Sequence, residues 1–93
     1  MATKVEFRPK AFKALRSLPD YIVAKLKAWV MAVELLGLRE TRKRPGFHDE
    51  PLHGDRKGQR SIRLSKAYRA IYIESQNGDI ELVEILEVSK HEY

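Results

Sequence analysis

Residues 20–37 read DYIVAKLKAWVMAVELLG, and the fold class turns on that run. Ile22, Leu26, Trp29, Val30, Val33 and Leu36 recur with helical spacing, while Lys25, Lys27 and Glu34 stand off the centre of the stripe. The spacing predicts a helix over 20–37, with Asp20 as its N-cap and Gly37 as the residue just past its end. A six-residue apolar stripe has nowhere to go except onto another element. In this register Trp29 is core rather than a platform for stacking bases.

Upstream, Lys4-Val5-Glu6-Phe7-Arg8 alternates with period two and predicts a half-buried strand over 4–8, stopped by Pro9. Pro9 suits the first turn of a helix. That helix is expected over 9–18, with Phe12, Leu15 and Leu18 three apart and Pro19 ending it. Downstream, Leu38 to Gly58 is charged and broken by Pro45, Gly46, Pro51, Gly54 and Gly58, and reads as a long loop of the kind that carries function. Three strands follow, at 59–65 with Ile62 and Leu64 inward, at 68–75 and at 80–88. The last two are joined by Gln76-Asn77-Gly78-Asp79, where Asn-Gly predicts a type I′ hairpin. The order β-α-α-β-β-β predicts an α+β domain: two N-terminal helices packed on one face of a mostly antiparallel four-stranded sheet, the other face free. Arg60, Arg63 and Arg69 are expected near that free face, in a cleft bounded by the long loop and the C-terminus.

With 93 residues, the chain has room for one domain, over 1–93. No cysteine is present, so disulfides, thiolate metal sites and a thiol nucleophile are excluded and packing alone holds the core. The longest wholly apolar run, Ala28 to Val33, ends at Glu34, far short of the roughly 20 residues a bilayer span needs. Lys4, Glu6, Arg8 and Lys10 interrupt any signal-peptide h-region, so a cytoplasmic protein is expected. Charge is uneven along the chain. Residues 39–69 carry ten Lys/Arg against four Asp/Glu, whereas residues 70–93 carry one against six. A basic block of that density is the footprint of a phosphate-bearing partner, weighed against the plainer reading of a solvated face.

Four pieces carry a family resemblance: Glu50-Pro51-Leu52-His53-Gly54-Asp55-Arg56-Lys57-Gly58, Arg60-Ser61-Ile62-Arg63, Tyr68-Arg69-Ala70-Ile71-Tyr72, and the final His91-Glu92-Tyr93. Together they resemble the RelE/ParE toxin superfamily, in particular its YoeB, YafQ and HigB branches. The element order also matches the compact RelE-like fold, so the resemblance covers nearly the whole chain. It implies a type II toxin held inactive by a cognate antitoxin protein, which when freed enters the ribosome and cuts mRNA without a metal or other cofactor. Cleaving RNA through its own 2′-OH needs a base for that hydroxyl, an acid for the departing 5′-oxygen and cations on the phosphate.

The resemblance supplies a candidate for each role. Glu50, directly before Pro-Leu, matches the catalytic glutamate of the YoeB branch and is the implied general base; the plain alternative is a solvated loop carboxylate. Arg69 matches the strand arginine that contacts the scissile phosphate, where a guanidinium suits the spread charge of a phosphorane; the alternative is a pairing with a strand glutamate. His91 is the implied general acid, because histidine titrates near neutral pH, and Tyr93 is a further catalytic candidate. The YoeB branch ends in adjacent His-Tyr whereas Glu92 intervenes here, and an extended tail puts 91 and 93 on one side. His53 sits where some relatives carry lysine, and with Lys57, Arg60 and Arg63 it is read as an RNA contact, against the alternative of an ordinary solvated strand edge. His48 has no matching position and reads as a loop residue. The His48-x4-His53 spacing lacks helical register, so no metal site is expected.

Two other functions use the same features. A ParE-like toxin would bind DNA gyrase and do no chemistry on the same fold, but has no need of an acid/base pair around an arginine. A non-toxic RNA-binding domain would want a ladder of stacking aromatics, and Tyr68 and Tyr72 stand alone.

Overall fold

A computed structural model describes residues 2–90 of the chain. Strand β1 (Ala2–Phe7) leads into a short helix α1 (Pro9–Ala14), with Pro9 in its first turn as expected, and a 3-10 turn at Leu15–Ser17 completes that segment. Helix α2 (Asp20–Leu36) follows. Pro19, not Asp20, occupies its cap position: the Pro19 carbonyl accepts from the amides of Ile22 and Val23, and Asp20 serves as a first-turn anion on the helix dipole. Gly37 ends α2 at a φ of 86°, its amide donating to the Val33 carbonyl at 2.8 Å.

The stretch expected as a loop from 38 to 58 is more ordered than its composition suggests. Leu38–Arg42 form a third helix, α3, docked through the buried Leu38 and Thr41. Thr41 returns its hydroxyl to the Gly37 carbonyl at 2.9 Å. A 3-10 turn at Pro45–Phe47, a two-residue strand β2 (Glu50–Pro51) and another 3-10 turn at Gly54–Arg56 complete the connection. Strands β3 (Arg60–Arg63), β4 (Tyr68–Asn77) and β5 (Ile80–Lys90) finish the chain.

The sheet therefore has five strands rather than four, in the order β1-β5-β4-β3-β2. β1 runs parallel to β5, and the other pairings are antiparallel. The β4–β5 hairpin closes tightly from Asn77 to Ile80, with Gly78 at φ 61°. The central pair is Gly78-Asp79, and Asp79 does not share that positive φ, so the turn places glycine first and follows the II′ rather than the I′ pattern.

Helices cover one face of this sheet. Ile22, Leu26, Trp29 and Val33 of α2 pack with Ala11, Leu38, Ile62, Leu64, Ala70, Tyr72, Val83, Ile85 and Val88. Tyr72 pairs with Ile85 and Ile71 with Glu87, leaving Leu86 as an extra residue in β5. This bulge switches the alternation, so that both Ile85 and Val88 face the core while Glu87 and Ser89 turn to the helix-free face. α+β architecture, helices on one face and Trp29 buried all agree with the reading of the sequence.

Candidate active site

Strand pairing arranges the helix-free face in rows. Glu50 on β2, Ser61 on β3, Ile71 on β4 and Glu87 on β5 are consecutive partners across the sheet. One row further on, Arg63 of β3 stands directly opposite Arg69 of β4, and Ser89 of β5 follows. Two residues along a strand separate the rows by roughly 7 Å. Glu50, Ser61, Arg63 and Arg69 line one cleft of about 160 Å³, which His48, Lys66 and Tyr68 help to close.

The charge balance in this cleft is unusual. Like charges directly opposite on neighbouring strands repel, and neither Arg63 nor Arg69 makes an ion pair with a carboxylate among the described residues. Arg69 is half-buried and Arg63 exposed. Two adjacent guanidiniums, one partly desolvated, form a site that an anion would relieve. Glu50 is exposed and makes no side-chain hydrogen bond or ion pair among the described residues, so its carboxylate is available to a substrate proton.

Of the cations that follow Glu50 in sequence, Arg56 is engaged elsewhere. Arg56 binds Glu87 at 3.1 Å and Gln59 at 2.9 Å. Lys10 reaches the same Glu87 at 3.2 Å. Burial works to raise the Glu87 pKa, but the Lys10 hydrogen bond and the Arg56 charge outweigh it and hold the carboxyl below its ordinary range.

Arg60 was expected on the free face with Arg63 and Arg69, and it lies on the other. Residues 60 and 63 differ by an odd number, so period-two alternation separates them. Arg60 pairs across the strands with the core residue Tyr72, and its Nε binds Asp49 at 2.6 Å. Asp49 has a side chain only 1% exposed, and it also accepts the Tyr72 hydroxyl, with Arg42 at 3.9 Å. Arg42 continues to Glu74 at 2.6 Å. Burial, then the Asp49 hydrogen bond and charge, push the Tyr72 phenol far above its usual value, so it stays a donor. For Arg42, burial opposes the charge, but Glu74 and Tyr72 more than offset it and raise its pKa.

His53 and Lys57 are exposed at either end of the 3-10 turn Gly54–Arg56 and do not line the cleft. His91 and Tyr93 lie outside the described residues. β5 ends at Lys90, the register partner of cleft-lining Tyr68, so the described chain stops beside the cleft. His48, read from the sequence as a loop residue, lines the cleft. It is the one non-glycine residue at positive φ among those described, at φ 45° and ψ 53°. No sequence motif marks it; the signal is the reversal of the chain after Pro45-Gly46-Phe47. Among the described residues no group of three or more His, Asp or Glu side chains is placed to hold a metal ion, and no helix is long and apolar enough to cross a membrane.

Solved structures share this architecture. A YoeB/ParE toxin from Agrobacterium tumefaciens superposes with a TM-score of 0.73 at 20% identity, over 96% of this chain and 99% of that one. The RelE of an archaeal RelE–RelB complex from Pyrococcus horikoshii gives 0.70 at 27%, over 97% and 96%. YafQ from E. coli gives 0.73 at 18%, over 96% and 93%. No curated protein is significantly similar in sequence. The model of the ParE toxin of type II toxin–antitoxin systems matches residues 5–92, which with the five-stranded sheet and the arginine-lined cleft leads to one conclusion: the chain belongs to this toxin family, within the RelE/ParE superfamily.

Proposed function

We propose that this toxin is a ribosome-dependent endoribonuclease that cuts mRNA by acid/base chemistry at the 2′-OH. The observation that carries the reading is the Arg63–Arg69 pair, two directly opposed guanidiniums with no carboxylate partner among the described residues, one row from the unpartnered Glu50. Glu50 takes the 2′-OH proton as the oxygen attacks the adjacent phosphorus. Arg69, with Arg63, holds the non-bridging oxygens as charge builds on the phosphorane. An acid then protonates the departing 5′-oxygen, leaving a 2′,3′-cyclic phosphate and a 5′-hydroxyl. His91 is the proposed acid and Tyr93 a further catalytic candidate, while His48 is the imidazole that lines the cleft among the described residues. Lys57 and His53 extend the basic surface along the RNA backbone. Arg60, held by Asp49 on the other face, takes no part in phosphate contact in this scheme.

In the cell, the partners are a cognate antitoxin, the ribosome and mRNA, in a cytoplasmic setting. Complexes of similar toxins with antitoxins, such as DinJ with YafQ from E. coli and YoeB with YefM from Staphylococcus aureus, support the first of these. An antitoxin segment that masks the basic cleft or displaces the C-terminal tail would stop RNA entry directly. The ParE name of the matching family favours a second reading, a gyrase inhibitor without chemistry on the same fold.

The test is expression from a tightly repressed promoter with mapping of mRNA 5′ ends, followed by single-turnover cleavage on programmed ribosomes. In-frame cuts in translated regions bearing cyclic-phosphate ends are expected. Intact mRNA with an SOS response would overturn the proposal in favour of gyrase.

A further inference from the structure

Asp49 interrupts the cleft wall in sequence but not in space. Its neighbours His48 and Glu50 both line the cleft, whereas its own carboxylate is 1% exposed and points to the opposite side of the sheet. There one oxygen receives Nε of Arg60 at 2.6 Å, with Nε of Arg42 at 3.9 Å, and the other receives the Tyr72 hydroxyl. Tyr72 in turn is locked against Trp29, with ring centroids 5.1 Å apart.

We infer that Asp49 is the positioning residue of the site, a buried tether that fixes His48 and Glu50 toward the substrate. Local backbone structure is too slight to do this alone. β2 is two residues long and is held to β3 by the Glu50–Ser61 and Pro51–Arg60 pairs alone, flanked by His48 N–H to the Pro45 carbonyl at 3.2 Å and Leu52 N–H to the Gln59 carbonyl at 2.9 Å. An edge strand this short frays readily. Two donors, Arg60 and Tyr72, and the charge of Arg42 at ion-pair distance converge on one buried carboxylate and supply what the strand lacks. With residue 49 held inward, alternation turns Glu50 outward, and His48, on the other side of Asp49 at the left-handed end of the 3-10 turn, lines the same cleft. A buried ion pair is a poor source of stability compared with apolar packing, and its attested use is to fix one arrangement over its alternatives. The same geometry accounts for Arg60, whose charge serves the tether rather than the RNA. The inference rests on the reading of Glu50 as the base.

Asp49→Asn keeps the shape and removes the charge; Tyr72→Phe keeps the Arg60 pair and removes the other arm. Each full-length variant, freed of antitoxin, is compared with wild type in three measurements: amide exchange at His48 and Leu52, single-turnover cleavage on programmed ribosomes, and growth arrest on expression. Asp49→Asn is expected to speed exchange at these two amides while the amides of α2 keep their protection. It is also expected to cut the bound-state cleavage rate by up to about 10²-fold, the cost of a misplaced reacting group, with ribosome affinity unchanged. Tyr72→Phe is expected to shift both in the same direction by less. Unchanged exchange in both variants overturns the tether, and so does faster exchange with wild-type cleavage. If wild type itself leaves mRNA intact, the ribonuclease reading fails separately. The tether is then judged on exchange and growth arrest, where loosened amides with undiminished arrest overturn it and loosened amides with weakened arrest support it.

Discussion

Trp29 and Tyr72 meet with ring centroids 5.1 Å apart and planes tilted by 49°. Through this contact the apolar stripe of α2 touches the middle strand of the sheet, on the residue whose hydroxyl reaches Asp49. Tilted rings at this separation attract beyond their buried area. The indole N–H of Trp29 is nonetheless buried without an acceptor among the described residues.

That orphan donor gives two substitutions different costs. Trp29→Ala is expected to lose about 3–5 kcal/mol through the cavity it opens. Trp29→Phe also loses volume, but it removes a buried unsatisfied N–H whose desolvation costs about 1–3 kcal/mol. Denaturant unfolding should find Trp29→Phe less than half as damaging as Trp29→Ala; equal losses would mean that the N–H is satisfied in solution.

Arg63 and Arg69 predict opposite signs for stability and activity. Neutralising either, as Arg63→Gln or Arg69→Gln, removes a cross-strand repulsion and is expected to raise stability by about 0.2–1 kcal/mol. Arg69→Gln is expected at the same time to slow single-turnover cleavage by about 10²–10³, as for other lost donors to a developing anion. Thermal unfolding and cleavage measured on one preparation separate the two effects.

The base and acid leave a different trace from the surface cations. Glu50→Gln and His91→Gln are each expected to slow bound-state cleavage by about 10²–10⁴ with ribosome binding nearly unchanged. Lys57→Gln is expected to weaken binding and flatten its salt dependence, with little effect on the bound rate. Wild-type cleavage by the Glu50→Gln, His91→Gln double variant would remove both residues from the mechanism.

Glu87 sets an acid limb. Its folded pKa lies below the ordinary 4.5, because Lys10 and Arg56 outweigh the effect of burial. The ionised form is therefore favoured by folding, and its contribution is complete above 4.5 and lost as pH falls through the lower folded value. Glu87→Gln is expected to lower stability at neutral pH and to flatten the fall in melting temperature below pH 4.5. A parallel acid limb in wild type and variant would assign that limb to other carboxylates.

How much of this was legible depended on repetition. The α2 stripe repeats over 17 residues and announced both the helix and the burial of Trp29. The hairpin strands alternate long enough to be seen. α3, by contrast, offers only Leu38 and Thr41 as buried positions in five residues, too short to establish a period, and β2 has two residues and no period at all. Arg63 and Arg69 are legible as cations of the basic block on the strands beside the free face, Glu50 and the role of Arg69 come only through a family resemblance, and the register brings all three to one cleft. The face of Arg60 was available from its odd spacing to Arg63. The part played by Asp49 was not, because a buried carboxylate at a strand edge becomes visible only when Arg60, Tyr72 and Arg42 are placed around it.

The extra residue at Leu86 has a consequence for how sequences of this kind can change by insertion and deletion. Beyond it, the side a residue faces is set by an even-or-odd count that begins at the bulge. Loss of Leu86 itself would close the bulge and leave Ile85 and Val88 inward with Glu87 and Ser89 outward, whereas loss of a single residue elsewhere in β5 with the bulge kept would exchange insides for outsides on one side of the deletion. Single-residue changes of length in this strand are therefore absorbed at position 86, and an alignment of this chain with any relative that lacks the bulge must open its one-residue gap there for the cleft residues on either side to correspond.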